Sequence, residues 1–309
     1  MTAGELPTIG ISGINTGDSA TAAGVRELAV LAEELGYDSI WLGEHIVAPS
    51  PRVPPSPVDP DFPMLDPIVA LAMLAGVTSE VRLGTGIIVL PQRNPVVLAK
   101  QLASLDVLSD GRLVFGFGVG WMEEEMRAVG VSARDRGART DDYLNAMRSL
   151  WYDETPGYQG KYVEFAGVDA YPRPVQRPIP IVVGGNSIAA LRRAARVGNE
   201  WYGWSLDVAG TEQRMSELRT ETDAAGRDFA ELNITITPAE AITPDVVREY
   251  ARLGVDRLLL TPPGTWDRGF RRADFAAFIR ANAPAAIGAG SRRRSGNSVC
   301  ADQRPRATM

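Results

Sequence analysis

Eight short, β-rich apolar runs recur along the chain, and stretches of helical periodicity alternate with them. The runs lie at 8–14, 39–45, 82–90, 113–120, 180–185, 200–205, 232–237 and 257–261. Helical patterns cover 21–35, 67–77, 95–108, 122–129 with 140–151, 187–197, 208–225, a segment from 244, and 272–282. Asp66-Pro67, Asn94-Pro95 and Thr243-Pro244 each read as an N-cap followed by an N1 proline, and Gly36 as a left-handed stop. Leu35-Gly-Tyr-Asp-Ser-Ile-Trp-Leu42 and Leu253-Gly-Val-Asp-Arg-Leu-Leu-Leu260 reuse one helix-to-strand connection. Eight such units within about 280 residues predict an α/β fold, a single TIM-type (β/α)8 barrel. A doubly wound sheet is the competing architecture, but no strand-Gly-x-Gly-x-x-Gly-helix fingerprint opens the chain.

Three segments stand outside the alternation. Residues 46–64 carry seven prolines and read as a long surface loop, of the kind that is functional or mobile. Residues 152–179 are aromatic and rich in glycine and proline, and predict an insertion with an extended, hairpin-like segment. From Ala285 the chain turns to Gly, Ser and Arg without apolar periodicity, so 1–284 is expected to be the barrel domain and 285–309 a disordered basic tail.

Composition removes several classes of function. A net charge of −6 argues against a nucleic-acid footprint, and no apolar run approaches the ~20 residues that span a bilayer. One histidine and one cysteine, Cys300, argue against a disulfide or a zinc site, and no metal is expected. Met1 to Pro7 lacks the basic and apolar regions of a secretion signal, so the expected location is the cytoplasm.

In a barrel of this type the functional groups collect at the carboxyl ends of the strands. The run Ser39-Ile-Trp-Leu-Gly-Glu-His45 ends on Glu44 and the only histidine, which taken alone reads as a satisfied structural residue. The other ends supply Asn15, Gly86 to Val89, Gly118-Val-Gly-Trp121, Gly184-Gly-Asn-Ser187, Trp204, Ser205 and Thr261. This set lacks paired carboxylates, a nucleophile with its own base, and metal ligands, which disfavours hydrolysis and metal chemistry. It suits a flat ring lying on exposed backbone. Gly184-Gly-Asn-Ser187 joins a strand to a helix and is a phosphate candidate through the helix N-terminus; an ordinary capped turn is the equal alternative. The glycines at 84, 86, 116, 118 and 120 mark either close approach of a ligand or tight packing in a narrow barrel. Trp121 and Trp204 are the two tryptophans placed in a pocket.

Taken together, several stretches resemble one family. They are Leu35 to His45; Val81-Arg-Leu-Gly-Thr-Gly-Ile-Ile-Val-Leu-Pro-Gln-Arg-Asn-Pro95 continuing to Gln101; Leu105 to Leu113; Gly116-Phe-Gly-Val-Gly-Trp121; Arg136 to Tyr143; Pro172 to Pro178; and Val182-Val-Gly-Gly-Asn-Ser187. The chain resembles the bacterial-luciferase-like superfamily, specifically its deazaflavin (coenzyme F420)-dependent oxidoreductases, over roughly residues 8–283. The resemblance implies a TIM barrel, often a homodimer, acting on a small molecule. It implies His45 beside the reactive face of the ring with Glu44 alongside, the two serving as catalytic pair. It implies a cis non-proline peptide at Gly86–Ile87 propping the ring. Gly118, Val119 and Gly120 would approach the cofactor's side chain, and Gly184, Gly185, Asn186 and Ser187 would hold its phosphate. FMN binds the same cleft in this superfamily, so a reduced-flavin monooxygenase is the alternative, and a non-catalytic ring-binding protein a third. Members that oxidise sugar phosphates carry an acid where this chain has Trp121. That departure disfavours a sugar-phosphate substrate and favours an apolar or aromatic one.

Overall fold

Period-two alternation along each strand decides what faces the barrel interior and what faces the helices. The computed structural model describes residues 5–290. In chain order the elements are β1 (Thr8–Ser12), α1 (Ala22–Glu34), β2 (Ser39–Leu42), α2 (Pro67–Ala75), β3 (Arg82–Thr85), β4 (Ile88–Val89), α3 (Pro95–Leu108), β5 (Leu113–Gly118), α4 (Glu123–Ala128), α5 (Arg136–Tyr152), β6 (Tyr158–Gln159), β7 (Glu164–Phe165), β8 (Ile181–Gly184), α6 (Ile188–Val197), β9 (Glu200–Leu206), α7 (Val208–Ala224), β10 (Asn233–Pro238), α8 (Pro244–Leu253), β11 (Arg257–Leu260) and α9 (Arg272–Ala281). The barrel strands are parallel in the order β3-β2-β1-β11-β10-β9-β8-β5, and β3 closes the ring on β5 through Leu83↔Leu113 and Gly84↔Val114.

The expected barrel is therefore present, with differences in detail. The run 82–90 is not one strand. A cis Gly86–Ile87 peptide, at the position the resemblance implied, separates β3 from β4, and β4 resumes pairing with β5 at Ile88↔Phe117. The insertion carries the antiparallel hairpin β6–β7. Helix α5 starts a turn before Thr140, at Arg136. Of the segment assigned to a tail, residues 285–290 pack on the barrel: Ile287 is buried, and the Gly290 N–H donates to the Pro7 carbonyl at 3.0 Å. The remainder, 291–309, lies outside the described residues.

Ile9, Ile11, Ile40, Leu42, Phe115, Phe117, Ile234 and Ile236 belong to the main core between strands and helices. The interior is a separate cluster of Trp41, Val114, Val182, Tyr202 and Leu259, with Ile87 packed against it. Trp41 occupies so much of this space that its neighbours must be small. A Cβ on Gly84 would stand 2.4 Å from Trp41 Cδ2, and one on Gly116 would stand 2.1 Å from the Thr85 carbonyl oxygen. Higher in the barrel, Cβ atoms on Gly118 and Gly184 would meet the Ile87 side chain at 2.5 and 2.9 Å. Close packing thus accounts for these four glycines, and Ile87 closes the top of the interior.

The amino-terminal end of the barrel is closed by charge. The buried Arg257 guanidinium donates to Asp38 Oδ2 at 2.9 Å through Nε and to Glu200 Oε1 at 2.7 Å through an Nη. Thr235 Oγ1 donates to the same Glu200 oxygen, and Arg257 lies 5.3 Å from the centroid of Trp41. Burial by itself would push the Asp38 carboxyl up; the guanidiniums of Arg257 and Arg82 reverse the shift and hold it below the usual carboxylate range.

Candidate active site

β2 delivers Glu44 and His45 to the carboxyl end of the barrel, but their side chains part company. The Glu44 carboxylate is buried. It accepts the Val89 N–H at 3.0 Å and Arg93 Nε at 2.6 Å, and Arg93 also reaches Asp66 Oδ2 at 2.6 Å. Glu44 therefore ties the end of β2 to β4, just beyond the Gly86–Ile87 break, and through Arg93 to the N-cap of α2. Burial pushes its pKa from the ordinary 4.5 up to about 7, against the pull of Arg93 and the Val89 N–H.

That shift has a sign that can be measured. The folded chain keeps a proton on Glu44 that the unfolded chain releases near 4.5. The stability it contributes is full below that pH, declines as pH rises, and is lost on passing about 7. Thermal unfolding of wild type and Glu44→Gln is expected to show the wild type losing ground to the variant across this window. Parallel curves would show that Glu44 does not titrate there.

His45 is held elsewhere. Its Nδ1 lies 3.2 Å from Glu125 Oε2, its backbone N–H donates to Met64 Sδ at 3.1 Å, and its ring meets Trp121 edge-on, with centroids 5.7 Å apart and planes at 80°. The other oxygen of Glu125 accepts the Ile46 N–H. Glu125 was not among the residues singled out from sequence, although the signal was present. Met122, Glu125 and Met126 share one face of α4, and a glutamate on that apolar face is buried while Glu123 is exposed. A cavity of about 220 Å³ opens beside His45 and includes Met64, Asp66 and Arg93 in its lining.

The loop 46–64 arches from His45 back to the barrel. Asn15 Nδ2 donates to the carbonyls of Gly43 at 3.1 Å and Leu65 at 2.9 Å, pinning both feet of the loop to β1. Farther out, Arg268 pairs with Asp59 at 2.9 Å and with Asp61, and Phe62 sits 6.1 Å from Trp266.

On the opposite side, Asn186 holds the backbone of Trp204 twice: Nδ2 donates to its carbonyl at 2.8 Å, and Oδ1 accepts its N–H at 3.1 Å. Ser187 caps α6 by accepting the Ala190 N–H. Gly185 has φ +125°, a conformation that L side chains rarely adopt, and lets β8 turn directly into the cap. The N-terminal turn of α6 faces solvent at Ser187, Ile188 and Ala189. Trp121 and Trp204 are 50% and 41% exposed, so two indoles project where Trp41, Trp151 and Trp201 are buried. Gly120, with φ +75°, is filled on its Cβ side by Val89 and Met126, and Val119 follows β5 with intermediate exposure.

The structure thus brings His45, Trp121 and Glu125 together, and places Gly184 to Ser187 with Trp204 as a second group. It turns Glu44 away to Arg93. An apolar floor at Ile87, exposed indoles and an open helix N-terminus fit a flat ring with an anionic extension.

The sequence profile of the luciferase-like monooxygenase family matches residues 6–296. An uncharacterized protein of Mycobacterium tuberculosis is 33% identical over 258 residues, 81% of this chain and 88% of the relative. An F420-dependent glucose-6-phosphate dehydrogenase of Kineococcus radiotolerans is 33% identical over 219 residues, 69% of this chain and 62% of the relative. Among solved structures, the monooxygenase RslO1 from Streptomyces bottropensis superposes with a TM-score of 0.70 at 24% identity, covering 91% of this chain and 98% of that one. The chain is an oxidoreductase that belongs to the luciferase-like monooxygenase family.

Proposed function

We infer that the protein is an F420-dependent oxidoreductase that transfers a hydride between C5 of the deazaflavin and a carbon of a small, uncharged, largely apolar substrate. The observation that carries this reading is His45 at the barrel rim, edge-on to the half-exposed Trp121. An imidazole titrates near neutral pH and is suited to exchange the proton that accompanies a hydride. The 33% identity to an F420-dependent dehydrogenase supports the cofactor. Gly184 to Ser187 and the first turn of α6 would receive its phosphate, and Ile87 would underlie the ring. The cofactor supplies the redox chemistry; the chain binds, orients and excludes water.

The substrate class follows from what surrounds His45. Arg93 lines the same cavity, but both Glu44 and Asp66 engage it, so it is not open to a substrate anion. Trp121 contributes an indole face where relatives that oxidise sugar phosphates keep an acid. The proposed homodimer rests on the family resemblance, and the proposed cytoplasmic location on the single cysteine and the lack of a secretion-signal pattern in Met1 to Pro7.

Fluorescence titration of the purified protein with F420 and with FMN tests the cofactor assignment. F420 is expected to bind the more tightly. Tighter FMN binding with oxygen uptake would move the function to a flavin monooxygenase, and binding without turnover on any substrate panel would make it a ring-binding protein.

A further inference from the structure

The geometry points to Glu125 as the positioning residue that decides which nitrogen of His45 exchanges the proton, an assignment that rests on His45 being the proton-transfer group proposed above. The carboxylate has two oxygens with two separate tasks. One accepts the Ile46 N–H, and the other lies 3.2 Å from His45 Nδ1. Its side chain is 2% exposed, so water does not compete for either oxygen. A carboxylate accepts hydrogen bonds and has none to donate, and Oε2 is the oxygen turned to the ring while Oε1 takes the Ile46 N–H. Nδ1 must then be the donor. The neutral imidazole is held as the Nδ1–H tautomer, and the lone pair sits on Nε2.

The ring has little freedom to do otherwise. Trp121 meets it at 80°, and its own backbone is tied to Met64. Glu125 is set by the buried face of α4, with Met122 and Met126 beside it. With the cofactor bound and supplying the hydride chemistry for an alcohol or carbonyl substrate, Nε2 would be the atom placed to take the hydroxyl proton and, in the reverse direction, to return it to the carbonyl oxygen; Glu125 would hold the ring without exchanging that proton. It balances the imidazolium charge and fixes the ring, the part that Glu44 was expected to play.

Because His45 is the only histidine, isotope labelling of histidine ring nitrogens reports this one imidazole without assignment. In the protein without cofactor, the neutral ring is expected to carry its proton on Nδ1. Glu125→Gln faces the Ile46 N–H and the Nδ1–H with only one acceptor, and is expected to shift the ring toward the Nε2–H tautomer; Glu125→Asp, which keeps the carboxylate, is expected to retain Nδ1–H. With F420 and a substrate, Glu125→Gln is expected to lower kcat on the order of 10²-fold at unchanged KM. An Nε2–H ring in the wild type, or an unchanged tautomer in Glu125→Gln, overturns the assignment. Should Glu125→Gln fail to fold, the wild-type spectrum decides, with Glu125→Ala as the second variant. The spectrum needs no cofactor, so absence of F420 turnover beside an Nδ1–H ring would fail the proposed function and leave the Glu125–His45 arrangement standing.

Discussion

His45→Gln is expected to bind F420 as tightly as the wild type and to turn over on the order of 10²–10⁴-fold more slowly, the usual worth of a positioned general acid or base. Glutamine is the informative replacement. It leaves the backbone contacts of position 45 with Met64 and of Ile46 with Glu125 in place, and removes the ring that Trp121 meets edge-on. What disappears is the imidazole proposed to exchange the proton. The loss should therefore fall on kcat, with cofactor affinity read separately by fluorescence titration. Retained turnover would reduce His45 to a wall of the pocket. A matching loss of cofactor affinity would instead give it a binding role.

A second large effect lies at the other end of the barrel. Arg257→Met removes the cation that, among the described residues, pairs with both Asp38 and Glu200, each of them buried. Breaking a buried pair from one side costs about 3–5 kcal/mol, because the abandoned charge has no solvent to turn to. Here two carboxylates are abandoned at once. The variant is expected to unfold at markedly lower denaturant concentration than the wild type. The sign of the pH dependence separates lost charge from lost packing. In the wild type, Asp38 has a lowered pKa and contributes stability above its ordinary 3.8 that is lost as pH falls. In the variant, Arg82 is left as the guanidinium opposing burial at Asp38, the Asp38 carboxyl pKa rises, and the deficit should shrink as pH is lowered and that acid becomes neutral. A deficit that is the same at every pH would assign the effect to packing against Trp41.

The two ends of the barrel differ in how much could be read before the structure. The strands and helices follow from local periodicity and from caps such as Asp66-Pro67 and Asn94-Pro95, whose side chains accept the N–H groups of the following turn. The break after β3 came from the family resemblance; the run 82–90 itself shows no periodic flaw. The roles of Glu44 and Glu125 were not legible. Each depends on a partner far away in sequence, 49 residues for Glu44–Arg93 and 80 for His45–Glu125. Glu44 and His45 lie past the end of β2, where Glu44 turns to Val89 and Arg93 and His45 to Glu125, which is why Glu44 was an attractive partner on paper and a poor one in space. The glycines were ambiguous for a related reason. Their spacing announces close approach, and only the fold says that it is by Trp41 at Gly84 and Gly86, the Thr85 carbonyl at Gly116, Ile87 at Gly118, and Val89 with Met126 at Gly120.

That interlocking limits the order in which this barrel can change over generations. Alanine at 84 is barred while the indole of Trp41 stands 2.4 Å from where its methyl group would lie, so Trp41 must shrink first. Shrinking Trp41 alone leaves a void at the centre of the interior, at a cost of about 3–5 kcal/mol. Gly118 and Gly184 stand in the same relation to Ile87. A change at 84 is thus expected to need a compensating change at 41, and one at 118 or 184 a shift of the Ile87 side chain, whereas the half-exposed positions 121 and 204 are not locked by the interior.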